Sequence, residues 1–183
     1  MSFGILRRAV VEEGDLMTLS EMWIIATAIL LAGMVDDLRS RKVHNQLLVL
    51  LFPVALGASF YFRGFDGSMM GLGAFICALV LTVPMFAMGI LGGGDVKLFA
   101  VFAFCVDPTC MMWTLIYSIV WGAIFGVARA ATQRNLLTLV RNTYKVARAQ
   151  KVRPAEIHKI PYTFSLLLGW FTQLTLLHAG GLI

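Results

Sequence analysis

Residues 68–91, from Ser68 to Leu91, read SMMGLGAFICALVLTVPMFAMGIL and carry no charged side chain. About 20 mostly apolar residues cross a hydrocarbon core of ~30 Å as a helix, so this stretch predicts a transmembrane span with Pro84 inside it. The whole chain shares the bias. Of 183 residues, 59% are hydrophobic and 14% charged, with a mean hydropathy of +0.82. Soluble domains average about 45–50% apolar and about 25% charged. A soluble chain this short keeps too much surface in water to hide so much apolar area. The composition excludes a cytosolic globular enzyme, a disordered tail and a disulfide scaffold, and it leaves an all-α membrane protein.

Outward from that stretch, six spans are expected in a single domain over 1–183. The first runs from Met22 to Val35 and stops at Asp36-Asp37. The second runs from Asn45 to Phe62, with Pro53 as an expected kink. The Ser68–Leu91 stretch is the third. A short fourth begins near Asp95 and ends at Asp107-Pro108; the fifth covers Thr109 to Ala128, and the sixth starts near Ile160. In the fifth, Ser118, Gly122, Gly126 and Ala130 recur every fourth residue, a spacing that lets helix backbones approach closely. The N-terminal region does not read as a cleaved signal, because Glu12, Glu13, Asp15 and Glu21 precede the first apolar run.

The +5 net charge points to topology rather than to a nucleic-acid partner. With six spans, 12 of the 15 basic residues fall in three loops on one side. These are Arg39, Arg41 and Lys42 after the first span, Lys97 at the fourth, and eight residues within 129–159. The positive-inside rule makes that side cytoplasmic and places the chain in the inner membrane. Within 129–159, Leu136, Val140, Tyr144 and Ala147 recur at helical spacing among Arg141, Lys145 and Arg148. That pattern fits an amphipathic helix on the anionic leaflet, or a solvated basic run that only enforces topology.

Ionisable groups at membrane depth are the candidates for chemistry. Asp36-Asp37 ends the first span on the cytoplasmic side, and Asp95 opens the fourth from the same side. Two carboxylates brought close share a proton, so one acts as a base toward water while the other polarises a carbonyl. Gly92-Gly93-Gly94 before Asp95 offers a backbone free of side chains, able to take positive φ and to let an extended peptide approach. The plainer reading of Asp95 is a helix-capping carboxylate behind a glycine hinge. Cys77, Cys105 and Cys110 have no metal-site spacing, and neither a metal nor a cofactor is expected.

Asp37-Leu38-Arg39-Ser40-Arg41-Lys42-Val43-His44-Asn45, followed by Gly92-x-Gly94-Asp95-x-Lys97, resembles the type IV prepilin peptidase family of GxGD-type intramembrane aspartic proteases. Ile160-Pro161-Tyr162, with Gly169 downstream, resembles the start of that family's last helix. The resemblance implies removal of the short basic leader from prepilins or pseudopilins at the cytoplasmic membrane face. It maps the two catalytic aspartates onto Asp37 and Asp95, with Asp36 as the alternative to Asp37. Gly92, Gly94, Lys97, Arg39 and Asn45 become supporting or substrate-binding residues. His44 stands where the family usually has proline, and Asn45 is then the expected cap of the second span. Without a CxxC pair, the chain resembles the minimal members, and methyltransferase activity is not expected. The competing reading is a non-enzymatic membrane protein, either an assembly scaffold or a transporter subunit. Six spans with neither a clear repeat nor mid-membrane charge argue against the transporter.

Overall fold

A computed structural model describes residues 2–40, 44–132 and 162–179. Among the described residues every element is helical: α1 (Ser2–Ser40), α2 (Asn45–Ala87), α3 (Gly93–Phe104), α4 (Pro108–Thr132) and α5 (Tyr162–Ala179). The proposed amphipathic stretch between Leu136 and Ala147 lies outside them. Two helical segments, α2 and the Pro108–Ala128 part of α4, are long and apolar enough to cross a membrane.

The expected second and third spans are two arms of α2, parted at Gly64. There φ is 68° and ψ −163°, a combination open only to glycine. The break is sharp enough to fold the arms back on each other. Phe52 and Phe75 lie on opposite arms with ring centroids 5.6 Å apart, whereas a straight helix would separate them by roughly 35 Å. The one residue inside α2 with non-helical backbone is Gly64; Pro53, the expected kink site, and Pro84 both lie within the helix with helical backbone angles. The second arm ends in a Schellman motif. Gly89, at φ 76°, donates to the Phe86 carbonyl, and Ile90 donates to that of Met85.

α3 is the hub. It packs against α2, α1 and α5, and Val96 and every residue from Leu98 to Val106 are buried. Its twelve residues reach only about 18 Å. Phe104 at its end meets Phe52 and Phe75 of both α2 arms. A Cβ on Gly71 would lie 2.5 Å from the Phe104 carbonyl oxygen, so only glycine fits this crossing. Arg63, beside the α2 bend, pairs with Asp107 just beyond α3.

α4 and α5 pack backbone against backbone. At Gly169 a Cβ would stand 2.6 Å from the Ser118 backbone nitrogen and 2.8 Å from the Thr114 carbonyl oxygen. The Ser118 and Gly122 part of the small-residue register of α4 therefore packs against α5, with Gly122 facing Tyr162 and Ser165, whereas a Cβ on Gly126 would meet open space. Trp170 ties α5 to two more helices. Its ring packs edge-on to Trp23 of α1 and Phe102 of α3, and its Nε1 donates to Thr27 Oγ1 at 2.8 Å. By contrast, α2 leaves many apolar side chains outward, among them Val49, Leu50, Phe60, Phe65, Ile76 and Val80. An outer apolar surface around a buried short helix fits a membrane protein.

Candidate active site

The carboxylates flanking the α1 terminus have opposite surroundings. Neighbours on a helix point about 100° apart, so Asp36 and Asp37 cannot face the same partner. Asp37 is only 8% exposed and turns inward, where its Oδ2 accepts a 2.7 Å hydrogen bond from Thr163 Oγ1. Asp36 turns to the α1–α2 connection. Its Oδ2 accepts the His44 backbone N–H at 2.7 Å, and its Oδ1 lies 3.0 Å from His44 Nδ1. That backbone donor, with help from the His44 ring and Arg39, holds the Asp36 carboxyl below its usual range.

Proline at position 44 would lack the N–H that clasps Asp36. His44 is also the residue before α2, with extended backbone at φ −74° and ψ 139°. Asn45 is not the cap. It is the first helical residue, and its Oδ1 accepts a 2.9 Å bond from Lys97 Nζ, linking α2 to α3. Arg39 is exposed and lines a shallow apolar depression with Leu31, Ala32, Val35, Asp36 and Leu47. Asp37 and Asp95 do not line it.

Asp95 sits at the third position of α3, half-buried, and its Oδ2 accepts the Gly92 N–H at 3.2 Å. The cap position itself is Gly92, and Asp95 closes the first turn from the third helical position by accepting the N–H of that residue. Gly92 is extended at φ −79° and ψ 149°. Among the described residues the positive-φ glycines are Gly64 and Gly89, so the expectation of positive φ at 92–94 is corrected. Gly92 is needed for a different reason: a Cβ there would lie 2.8 Å from Asp95 Oδ2.

The first turn of α5 joins these pieces. Thr163 bonds Asp37, and its neighbour Tyr162 lies within electrostatic reach of Asp95. The Tyr162 hydroxyl is 2.7 Å from Ser118 Oγ, which itself donates to the Leu115 carbonyl. Ser118 has one proton and gives it to Leu115, so Tyr162 is the donor of that pair. Sequence reasoning singled out Asp37, Asp95, Lys97 and Asn45 but missed Thr163. The available signal was a hydroxyl directly after Ile160-Pro161-Tyr162, at the head of an apolar run.

Residues 24–127 match the model of the type IV leader peptidase family. The chain belongs to that family. Over 113 residues it is 30% identical to the prepilin leader peptidase/N-methyltransferase of Bacillus subtilis, covering 61% of this chain and 45% of that one. Over 85 residues it is 28% identical to the prepilin peptidase EppA of Methanocaldococcus jannaschii, covering 46% of this chain and 23% of that one. The chain thus spans less than half the length of either relative. No solved structure matches it. The matched segment contains α2 and α3 with Asp37 and Asp95, whereas α5 with Tyr162 and Thr163 lies beyond it.

Proposed function

We propose that the protein is an aspartic endopeptidase that removes the short basic leader from prepilins or prepilin-like proteins. In this reading Asp37 and Asp95 share one proton. The ionised carboxylate takes a proton from water as the water oxygen attacks the scissile carbonyl carbon. The protonated carboxyl donates to the carbonyl oxygen, and on collapse of the adduct the leaving amine takes up a proton. No metal or cofactor enters the scheme. The observation that carries the reading is the buried Asp37 carboxylate, held at 2.7 Å by Thr163 in the first turn of α5, beside Tyr162, which lies within electrostatic reach of Asp95. Family membership and the names of the two relatives support the same activity.

The membrane arrangement follows. The chain makes six passes in the inner membrane: α1, the two arms of α2, α3, α4 and α5, with α3 sheltered among the others. The arm over 45–63 is roughly 28 Å long, close to the hydrocarbon thickness. The ends carrying Asp37, Asn45, Asp95, Lys97 and Thr163 face the cytoplasm, where the basic loops and the leader of the substrate lie. The residues flanking the carboxylates take supporting roles: Gly92 and Gly94 keep backbone bulk away from Asp95, and Lys97, Asn45 and Arg39 border the approach.

Membranes holding this chain and a tagged prepilin test the reading. Asp37→Asn and Asp95→Asn each leave the protein abundant and the prepilin uncleaved. Normal processing by either variant removes the two-aspartate mechanism.

A further inference from the structure

We infer that Thr163 is a positioning residue that fixes which oxygen of Asp37 exchanges protons, an inference that rests on the peptidase reading above. Among the described residues, the hydroxyls of several helical threonines bond their own helix. Thr27 donates to the Trp23 carbonyl, Thr82 to Ala78, Thr114 to Cys110 and Thr172 to Leu168, each four residues back. Thr163 stands in the first turn of α5, and its hydroxyl does not turn back along its own helix. Its hydroxyl instead reaches across 126 positions of sequence to Asp37 Oδ2. The threonine is 1% exposed and its partner 8%, and a hydrogen bond shielded from water in this way is strengthened.

The proton count gives this contact a chemical consequence. A hydroxyl has one proton, and Thr163 gives it to Oδ2. Oδ2 is therefore held as an acceptor, and Oδ1 is left as the oxygen of Asp37 that accepts a proton from water or carries the shared one. The β-branched side chain is stiff at χ1, so the hydroxyl is held on this line with little rotational freedom. Its backbone is anchored as well. Tyr162 next to it bonds Ser118 of α4, and Gly169 two turns on lies against the α4 backbone. Thr163 thus transmits the position of the tightly packed α4–α5 pair to a carboxylate carried by α1.

The test uses the full chain purified into lipid nanodiscs, with a prepilin as substrate. Thr163→Ser and Thr163→Ala both lose the methyl group and differ in the hydroxyl alone, while Thr163→Val keeps the shape and loses the hydroxyl. Thr163→Ala and Thr163→Val lower kcat by about 10- to 100-fold with KM within roughly 2-fold of the parent, as expected for misplacement of a reacting group. Thr163→Ser retains kcat within roughly 3-fold. Thr163→Ser as slow as Thr163→Ala would show that the methyl matters and overturn the inference. Equal, undiminished rates for Ser and Ala would overturn it too, as would a loss confined to KM. Asp37→Asn is run alongside. Activity in that variant removes the two-aspartate mechanism on which the inference rests, whereas an inactive Asp37→Asn beside a fully active Thr163→Ala removes only the role given to Thr163.

Discussion

At one end of α3, Arg63 pairs with Asp107, three phenylalanine rings interlock, and Gly71 lets two backbones touch. At the other end, about 18 Å away along the helix, single hydrogen bonds to polar side chains stand out among the described residues. These are Thr163 to Asp37, Lys97 to Asn45, and the Gly92 N–H to Asp95. The far end is held by packing and a largely desolvated charge pair, which together anchor the C-terminal end of α3. The near end carries groups able to exchange protons, on three helices that meet through few atoms. Substitutions at the two ends should therefore fail differently, one in stability and the other in turnover.

The largest effect is expected from the seam that anchors the near end. Gly169→Val drives a side chain into the backbone of α4, 2.6 Å from the Ser118 nitrogen. Neither neighbour can move aside as a flexible side chain would. Overpacking of this kind costs about 3 kcal/mol or more, and the variant fails to accumulate as protease-resistant protein in membranes. Arg63→Ala breaks the far end by leaving Asp107 without its partner. It lowers stability by about 2–4 kcal/mol, read as a drop in melting temperature in detergent, because removing one member of a largely buried pair strands the other. Its folded fraction cleaves substrate with an unchanged kcat.

Gly92→Ala reverses that pattern. Its Cβ would fall 2.8 Å from Asp95 Oδ2, displacing the carboxylate while leaving the α3 core intact. It loses about 10- to 100-fold in kcat, with a melting temperature close to the parent. The smallest effect belongs to Asp36→Asn, which weakens an exposed clasp worth about 1 kcal/mol or less. The folded-state pKa of Asp36 lies below its ordinary value of 3.8. Its contribution is therefore fully present above about pH 4 and is lost as pH falls through the lower, folded value. Melting curves of parent and Asp36→Asn converge at pH values below that window and differ slightly above it.

The helical membrane class was legible because an uncharged run such as 68–91 has few other destinations. Asp95 at the head of a short helix was legible from the glycine run and the neighbouring Asp107-Pro108. The break between the second and third spans was legible as the stretch 63–67 between Phe62 and Ser68, but not as Gly64 in particular, because a glycine shows only that an unusual φ is allowed there. The division of labour between Asp36 and Asp37 was legible only as a choice. Helical geometry says that they diverge, but which one faces inward depends on where α5 docks. Thr163 was hidden for the same reason, since its partner lies 126 residues away and no local pattern encodes that contact. Asn45 read as a cap from its residue type alone, whereas Lys97 from a different helix claims its side chain.

The adjacent aspartates give the most direct test of the central claim. Purified full-length Asp36→Asn and Asp37→Asn are incubated with a prepilin, and the released leader is measured by mass spectrometry. The account predicts leader release by Asp36→Asn at close to the parental rate and none by Asp37→Asn. Leader release by Asp37→Asn, with or without loss in Asp36→Asn, would contradict it.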